Sequence, residues 1–463
     1  MQSNWLVEIV KRAQAGPFMK DKEFELGLVK RIRQLVKEYG VQYDANNLVP
    51  ADNDMADRVF QAGLQLFVEF GAYCQSTERC IRFSRDEVLE ILGQVPAAVT
   101  LGAGKDAVVM RHRGVEDPTP AVMHSGPTGT PCSEKYHPLI LLSCAQEPLV
   151  DCLGAGSVST YLGENIVPGT PLEILGARRD ATVAREAVRM AGRPGMHIND
   201  VAVPLTCAGK MATFDPGAGL RPSDGILVSQ MVELKTDFDQ LSRVAHLHNV
   251  DGIIVDLMTP LIGGLGGRAE GTAIVSVADH LLGAVLYDAD YHMFSLTHLN
   301  YVNNTDPLGI WVQAMVGQAL SRNTPMVLLN DIYTLSGPGS RELLYECAVG
   351  AVVGTVCGFN MQGAGTTGGF KRDHTTGLEA RFIAEVSRAS LGLTRQDAAA
   401  LIPNLMPGYI HTLTEPNRGH PFWEVYDENT VQPKAAWLDI YDTVKEEISQ
   451  LGLKFDRAPR PAA

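Results

Sequence analysis

Several short apolar runs in the sequence end in residues that can carry charge, move a proton or donate a hydrogen bond. If these runs are the parallel strands of a barrel, their ends meet and the polar side chains surround one cavity. Carboxylates, an imidazole and amides would then be available to balance a cation or to act as a general acid. The runs and their polar residues are 195–198 with His197, Asn199 and Asp200; 252–258 with Asp256; 293–296 with His298 and Asn300; and 326–329 with Asn330, Asp331 and Tyr333.

Each of these polar residues also has a plainer explanation. Asn and Asp commonly cap helices or stabilise turns by bonding to nearby backbone groups, and this explanation suits Asp200 and Asn330 better than a chemical role. His197 and His298 could equally be hydrogen-bonded histidines with no part in the chemistry. The glycine-rich run 263–267 matches neither GxGxxG nor the P-loop pattern, so it indicates a loop at a ligand or a protein partner as readily as an anion site.

The elements that must position these residues form repeated βα units. From Pro120 onward, short apolar runs alternate with longer amphipathic stretches, which is typical of a parallel sheet. The predicted strands are 121–124, 139–144, 195–198, 225–230, 252–258, 293–296, 326–329 and 351–357. The predicted helices are 171–191, 238–247, 272–286, 307–320, 340–349 and 378–391. Eight strands suit a closed (βα)8 TIM-type barrel, and a doubly wound open sheet is the alternative.

Three segments follow from this pattern. Residues 1–106 are predicted to form an N-terminal helical extension packed on the barrel, with helices at 20–39 and 53–73. Residues 107–434 are predicted to form the barrel catalytic domain. The last segment, 435–463, is predicted to form a C-terminal helix at 435–451 and a mobile tail.

Composition narrows the class of protein. The formal net charge of -14 argues against a nucleic-acid or anionic-membrane surface, because both would repel this chain. No stretch approaches 18 uninterrupted apolar residues, so we expect a cytoplasmic protein. The eight cysteines include no CxxC pair and lie mostly in apolar runs, which favours buried thiols. Neither the cysteines nor the histidines show a zinc-binding spacing, so no metal site is predicted.

Several motifs, taken in order and spacing along nearly the whole chain, resemble one family, the monomethylamine methyltransferases. They run from Val49-Pro50-Ala51-Asp52 to Leu451-Gly452-Leu453-Lys454-Phe455. Between these lie Phe60-Gln61-Ala62-Gly63, Leu101-Gly102-Ala103-Gly104-Lys105-Asp106-Ala107-Val108, Gly126-Pro127-Thr128-Gly129-Thr130-Pro131, Met190-Ala191-Gly192-Arg193-Pro194-Gly195-Met196, Glu233-Leu234-Lys235 and Gly377-Leu378-Glu379-Ala380-Arg381.

The resemblance implies a (βα)8 barrel that forms homo-oligomers and passes a methyl group to the Co(I) centre of a separate corrinoid protein. The corrinoid (cobalamin-type) cofactor would therefore be carried by that partner and not held tightly by this chain. In the family, pyrrolysine lies just beyond the Ala-Gly-Arg-Pro-Gly-Met segment, which brings the register here to Asn199. Two family glutamates fall at Leu227 and Leu257, and a family glutamine falls at Asp331. The chain thus resembles a family member that lacks pyrrolysine.

Without the imine of pyrrolysine, monomethylamine is a doubtful substrate, because its unactivated amine nitrogen would be a very poor leaving group. Methyl transfer is an in-line displacement, so a quaternary ammonium or sulfonium donor, which already carries positive charge, is favoured. In that hypothesis Leu227 and Leu257 shape an apolar pocket, Asp331 or Asp256 balances the cation, and Tyr333 offers a cation-π face.

Other donors and other classes stay open. For a neutral tertiary amine, a methyl ether or a thioether, His197 or His298 would have to protonate the leaving group. A barrel lyase or aldolase would need a Schiff-base lysine or a metal-ligand cluster at the strand ends, and only Lys210 and Lys235 lie near the predicted mouth. A scaffold for the corrinoid protein that has lost catalysis is the third alternative.

Overall fold

The computed structural model describes residues 3–200 and 205–455. Its centre is a closed barrel of eight parallel strands, in which each strand pairs with the next and the last pairs with the first. The fold is therefore the predicted (βα)8 barrel. The strands are β1 (Met123–Ser125), β2 (Cys152–Gly154), β3 (His197–Asn199), β4 (Gly225–Ser229), β5 (Ile253–Met258), β6 (Tyr291–Phe294), β7 (Leu328–Tyr333) and β8 (Asn360–Gly365).

One helix follows each strand, and further helices lie at both ends of the chain. The helices before the barrel are α1 (Ser3–Ala15), α2 (Asp21–Glu38), α3 (Asn53–Phe70) and α4 (Arg85–Leu92). The barrel helices are α5 (His137–Ala145), α6 (Pro171–Met190), α7 (Cys207–Ala212), α8 (Phe238–Val250), α9 (Ala269–Leu286), α10 (Pro307–Asn323), α11 (Arg341–Val356) and α12 (Gly377–Ala389). The chain continues through α13 (Arg395–Leu405), α14 (Phe422–Val425) and α15 (Ala435–Gln450).

Polar residues at the strand-to-helix turns begin several of these helices. The side chains of Asp237, Asp306 and Ser340 accept hydrogen bonds from the first backbone N–H groups of α8, α10 and α11. These contacts satisfy donors that the helix itself leaves unpaired. Asp200 instead accepts a hydrogen bond from the backbone N–H of Leu227 at 3.2 Å, and Asn330 Nδ2 donates to Gln313 Oε1 at 2.7 Å.

Two predicted strands are wrong, and both proved to be helical. Residues 139–144 lie within α5, and 351–357 coincide with the end of α11 and the turn after it. Short apolar runs do not distinguish a buried strand from a helix that is buried on all sides. The true strands are β2 and β8, and β8 escaped notice because its sequence, Asn-Met-Gln-Gly-Ala-Gly, is poor in residues that favour strands.

A β-hairpin closes the amino-terminal end of the barrel. Its strands, Ala98–Leu101 and Val108–Arg111, are antiparallel. The backbone N–H of Gly102 donates to Ser223 O at 3.0 Å, and that of Ala103 donates to Gly195 O at 2.8 Å. Leu101 and Met110 are buried with the apolar residues that fill the lower barrel. The opposite end, where the strands lead into their helices, is therefore the one that can admit a ligand.

The helices before the barrel pack directly on its outer layer. Residues of α2 and α3 share one hydrophobic core with α9 and α10, and this core extends to Trp437 of α15. Helix α9 is long and apolar enough to cross a membrane, but 94% of its apolar window is buried inside the molecule. Its apolar character is explained by its position between the barrel and α3, as expected for a core helix.

Candidate active site

Side chains from the parallel strands line the barrel interior. Inward and outward residues alternate along each strand, so the pairing register fixes which residues share the interior. Leu257 pairs with Met293, which pairs with Leu329. Asp331 pairs with Gln362, which pairs with His124. Leu227 and Leu257 are partly exposed and pack on the interior apolar cluster, so they lie where the interior opens toward the mouth.

Asp331 is the carboxylate that β7 directs into this space. Its side chain is fully buried; Oδ2 accepts a hydrogen bond from Ser295 Oγ at 3.0 Å, and Oδ1 has no partner among the described residues. Burial raises the pKa of Asp331 to about 7, against the opposing effects of the Ser295 and Tyr333 hydroxyls. The half-buried Tyr333 follows two residues later on the same face of β7. A carboxyl group poised near neutrality thus lies beside an aromatic ring.

Asn199 ends β3 and points into the same interior. Its Nδ2 lies 3.4 Å from Gln362 Oε1 and 4.0 Å from the Met293 sulfur. Gln362 Nε2 in turn donates to Thr128 Oγ1 at 3.1 Å, which fixes the orientation of the Gln362 amide. Asn199 Oδ1 is buried and has no partner in the described part of the chain. The structure therefore brings Asn199, Leu227, Leu257 and Asp331 around one space.

His197 lies deeper in the barrel than Asn199. Its Nδ1 is 2.8 Å from Ser223 O, and since a carbonyl can only accept, Nδ1 carries the proton. The Tyr291 hydroxyl lies 3.4 Å from Nε2. Burial lowers the pKa of His197, so its imidazole is neutral. Both ring nitrogens are engaged, which makes His197 poorly placed to protonate a leaving group.

Asp256 does not reach the interior, contrary to the sequence-based assignment. It alternates with the inward residues of β5 and points into the layer between barrel and helices, where its Oδ2 lies 2.9 Å from His292 Nδ1. Its Oδ1 accepts from Gln230 Nε2 at 2.8 Å. A Cβ on Gly283 of α9 would lie 1.8 Å from Asp256 Oδ2, so the helix glycine makes room for the carboxylate. Of the two acids proposed to balance a cation, only Asp331 faces the mouth.

His298 lies in a loop above the barrel. The short strand Thr297–His298 pairs with Leu261–Ile262, and the imidazole stacks on Tyr301 with ring centroids 4.8 Å apart. None of its hydrogen bonds or ring contacts is with Asn199 or Asp331 among the described residues. The geometry therefore gives no support to a general-acid role for His298 at this site.

The two lysines considered for Schiff-base chemistry are both held in ion pairs. Lys210 Nζ lies 2.5 Å from Asp200 Oδ2, and both side chains are buried. The same oxygen of Asp200 accepts from the backbone N–H of Leu227 at 3.2 Å. Lys235 Nζ lies 2.6 Å from carboxylate oxygens of Asp21 and Glu25 on α2, away from the barrel interior. These contacts disfavour the lyase alternative.

The glycine-rich loop after β5 is held in part by a hydrogen bond to the side chain of Glu233. Glu233 is buried and accepts a hydrogen bond from the backbone N–H of Leu261 at 3.2 Å. Burial raises the pKa of Glu233 to about 7. Gly263 N donates to Gly267 O at 2.7 Å, which closes the loop on itself. Within residues 3–200 and 205–455, no three His, Cys, Asp or Glu side chains are grouped as a metal site would require.

Sequence reasoning missed several residues that line the interior. Gln362 was missed because β8 was placed at 351–357, and Ser295 and Met293 because they belonged to a predicted apolar run with no sign of which face was inward. His124 lies inside β1 and was treated as the end of an apolar run, and Tyr291 begins β6 two residues before the predicted run 293–296.

The fold and this site together define a (βα)8-barrel enzyme whose reaction space lies at the carboxyl ends of the strands. The family model for monomethylamine methyltransferase MtmB matches residues 5–453. The chain belongs to this family of methyltransferases. Monomethylamine methyltransferase MtmB2 of Methanosarcina acetivorans is 31% identical over 446 residues, which cover 96% of this chain and 97% of that protein. MtmB of Methanosarcina mazei shows the same identity and coverage.

Solved structures agree with this assignment. The crystal structure of the Methanosarcina barkeri monomethylamine methyltransferase MtmB has a TM-score of 0.94 and 29% sequence identity to this chain. The match covers 97% of this chain and 98% of that one. The crystal structure of the hydroxylamine complex of MtmB matches equally well. The barrel, the added helices and their arrangement are thus common to the two proteins.

Proposed function

We propose that this chain is a pyrrolysine-independent methyltransferase that moves a methyl group from a quaternary ammonium compound to the Co(I) centre of a corrinoid protein. One observation carries the choice of donor. Among the described residues, the buried carboxylate of Asp331 and the apolar side chains of Leu227 and Leu257 border the site. A primary ammonium has three N–H donors that need acceptors, whereas a quaternary ammonium has none and is satisfied by apolar contact and a nearby negative charge.

The chain's own residues would act by positioning and by charge. Asp331, when ionised, balances the positive nitrogen, and the ring of Tyr333 presents a π face to the methyl groups. Leu227 and Leu257 exclude water from the bond that breaks. The nitrogen keeps the electron pair of the broken C–N bond and leaves as a neutral tertiary amine, so no proton has to be supplied. This fits a site in which His197 is neutral and already bonded at both nitrogens.

The corrinoid, when carried to the mouth by its own protein, would supply the nucleophile that takes the methyl group. The mouth has the surface that such a partner needs. Large apolar side chains are exposed on the loops that follow the strands, among them Leu162, Leu205, Val232, Leu299 and Phe370. Apolar patches of this kind are typical of protein interfaces.

The test is methyl transfer followed by visible absorbance, with tetramethylammonium and monomethylamine as donors. Free Co(I) cobalamin and a cognate corrinoid protein serve as acceptors. We expect transfer from tetramethylammonium and at most weak transfer from monomethylamine. Asp331→Asn should lower kcat/KM for tetramethylammonium by about tenfold or more, because a buried cation loses its counter-charge.

The matched control is Asp256→Asn, which makes the same change in a buried carboxyl group outside the interior. It should leave kcat/KM within about twofold of the unaltered protein. Transfer from monomethylamine alone, or no transfer from any quaternary donor with either acceptor, would contradict the proposal.

A further inference from the structure

Below the proposed cation site, the barrel contains a polar layer formed by His124, His197 and Tyr291. The His124 ring centroid lies 5.8 Å from that of His197 and 5.7 Å from that of Tyr291. The layer is joined to the site above it, because His124 pairs in register with Gln362, whose amide contacts Asn199. Polar residues at this depth are unusual, since barrel interiors are commonly filled by branched apolar side chains.

Some hydrogen-bonding atoms of this region have no partner in the described part of the chain. His124 is fully buried and both of its ring nitrogens are unpaired, as is Oδ1 of the buried Asn199. Leaving such atoms unpaired costs about 1 to 3 kcal/mol each, so native proteins nearly always supply a partner. Since no described residue supplies it, a bound ligand or an ordered water can provide the partner here.

One of the unpaired atoms, Asn199 Oδ1, lies beside Gly225 of β4. A Cβ on Gly225 would lie 3.2 Å from Asn199 Oδ1 and 3.3 Å from Tyr291 Oη, so both oxygens approach the bare inner face of this glycine. A side chain there would also press on Val255 Cγ2, at 2.8 Å. Glycine at this position keeps the approach to Asn199 Oδ1 and the Tyr291 hydroxyl open.

The chemistry of the unpaired atoms selects the group they would bind. Burial lowers the pKa of His124 well below its usual range, so its imidazole is neutral and offers one N–H donor and one acceptor. With Asn199 Oδ1, the region offers one donor and two acceptors. A hydroxyl group can accept from the imidazole N–H and donate to one of the two acceptors, so it pairs with two of these three atoms. A carboxylate does not, because it would face two acceptors in a buried place without a counter-charge.

We infer that the donor is a quaternary ammonium alcohol whose hydroxyl group binds between His124 and Asn199 while its cationic nitrogen lies beside Asp331. This inference rests on the proposed function and names the substrate class of the same site. Asp331 and His124 lie on strands separated by β8 alone, which places their Cα atoms roughly 10 Å apart at the usual strand spacing. A spacer of two or three carbons joins the two groups over that distance.

The first test is calorimetric binding of choline, tetramethylammonium and glycine betaine to the full-length protein. We expect choline to bind roughly tenfold more tightly than tetramethylammonium, and glycine betaine to bind less tightly than choline. Equal affinity for choline and tetramethylammonium, or tighter binding of glycine betaine, would overturn the inference. If tetramethylammonium still binds and donates a methyl group in that case, the proposed function stands. If no quaternary ion binds, both fall together.

The second test separates ligand contact from a merely structural role for the buried imidazole. His124→Phe keeps a ring of similar size and removes both nitrogens. The control is His280→Phe, which alters another fully buried histidine with an unpaired Nε2, on α9 and outside the barrel. Circular dichroism is recorded for both variants.

His124→Phe should lose the preference for choline over tetramethylammonium, and His280→Phe should retain it. Should His124→Phe keep the full preference, its nitrogens bind an internal water only and the inference is wrong. The same conclusion follows if both variants lose the preference equally. If His124→Phe does not fold, Asn199→Leu replaces it, with the same expected loss.

Discussion

At the scale of single residues, the environment of Asp331 decides what the site can bind. The carboxyl group is buried, with Ser295 and Tyr333 close to it. No basic side chain pairs with it among the described residues, so its charge is uncompensated until a ligand arrives. A buried carboxyl in this situation is held partly protonated at neutral pH, and a cation would shift it to the ionised form.

This environment predicts a pH dependence of binding. Because the pKa of Asp331 is raised to about 7, the carboxyl is mostly protonated at pH 6 and mostly ionised at pH 8. A permanent cation binds the ionised form, so affinity should rise with pH, by about tenfold between pH 6 and pH 8. Calorimetry with tetramethylammonium at both pH values measures it. Asp331→Asn should remove the dependence, and a persistent dependence in that variant would assign it to another group.

At the scale of elements, neighbouring side chains of β5 point to opposite faces of the barrel wall and have different roles. Leu257 faces the barrel interior, while the preceding Asp256 faces the helices and joins Gln230 and His292. Gln230 also donates to Asp279 O of α9 at 2.7 Å, so the group ties the end of β4 to the helix layer. Fully buried polar groups of this kind are costly when one partner is removed.

We therefore expect Asp256→Ala to affect stability and not binding. The change leaves His292 Nδ1 and one bond of Gln230 without a partner, which should lower the free energy of unfolding by about 2 to 4 kcal/mol. Urea denaturation followed by circular dichroism measures the loss. The dissociation constant of tetramethylammonium should change by less than about twofold at a temperature where the variant is folded. A large loss of affinity for tetramethylammonium with unchanged stability would show that Asp256 contributes to binding.

At the scale of the whole molecule, the helices before the barrel are part of its core. Gly63 of α3 lies against α9, where an added Cβ would come within 2.5 Å of Val277 Cγ1 and 2.9 Å of Ile274 O. The two helices are therefore in close contact. Since one hydrophobic core joins α2, α3 and the barrel helices, disturbing this contact should weaken the entire fold.

The substitution Gly63→Ala tests whether the N-terminal helices and the barrel unfold together. We expect it to lower the free energy of unfolding by about 1 to 3 kcal/mol in a single cooperative transition, because the overpacked contact belongs to the common core. The control is Gly27→Ala on α2, where an added Cβ meets only the Phe70 ring, at 3.3 Å. This change should be neutral or slightly stabilising through helix propensity. Two separate transitions in Gly63→Ala would show that the extension and the barrel unfold independently.

Much of the fold could be predicted from the sequence, and less of the site. The alternation of apolar runs and amphipathic helices predicts the barrel, and the helices at 171–191 and 307–320 agree closely with α6 and α10. The predicted strand bounds were wrong where the local pattern carries little information, as at β8. Its glycines and amides form a strand only because β7 and β1 pair with it. The site assignment of Asn199, Leu227, Leu257 and Asp331 stays a prediction, although the structure places Asn199 beside Gln362, which pairs with Asp331.

What the sequence determined by itself is the periodicity, the turn residues and the family motifs, because each of these is local or depends on order along the chain. The tertiary structure decided which way each side chain points. A strand directs neighbouring residues to opposite faces, so Asp331 enters the reaction space and Asp256 does not, and only closure of the barrel brings Asn199 beside Gln362. Burial likewise exists only once the barrel is closed. It raises the pKa of Asp331 and leaves both ring nitrogens of His124 without a partner among the described residues.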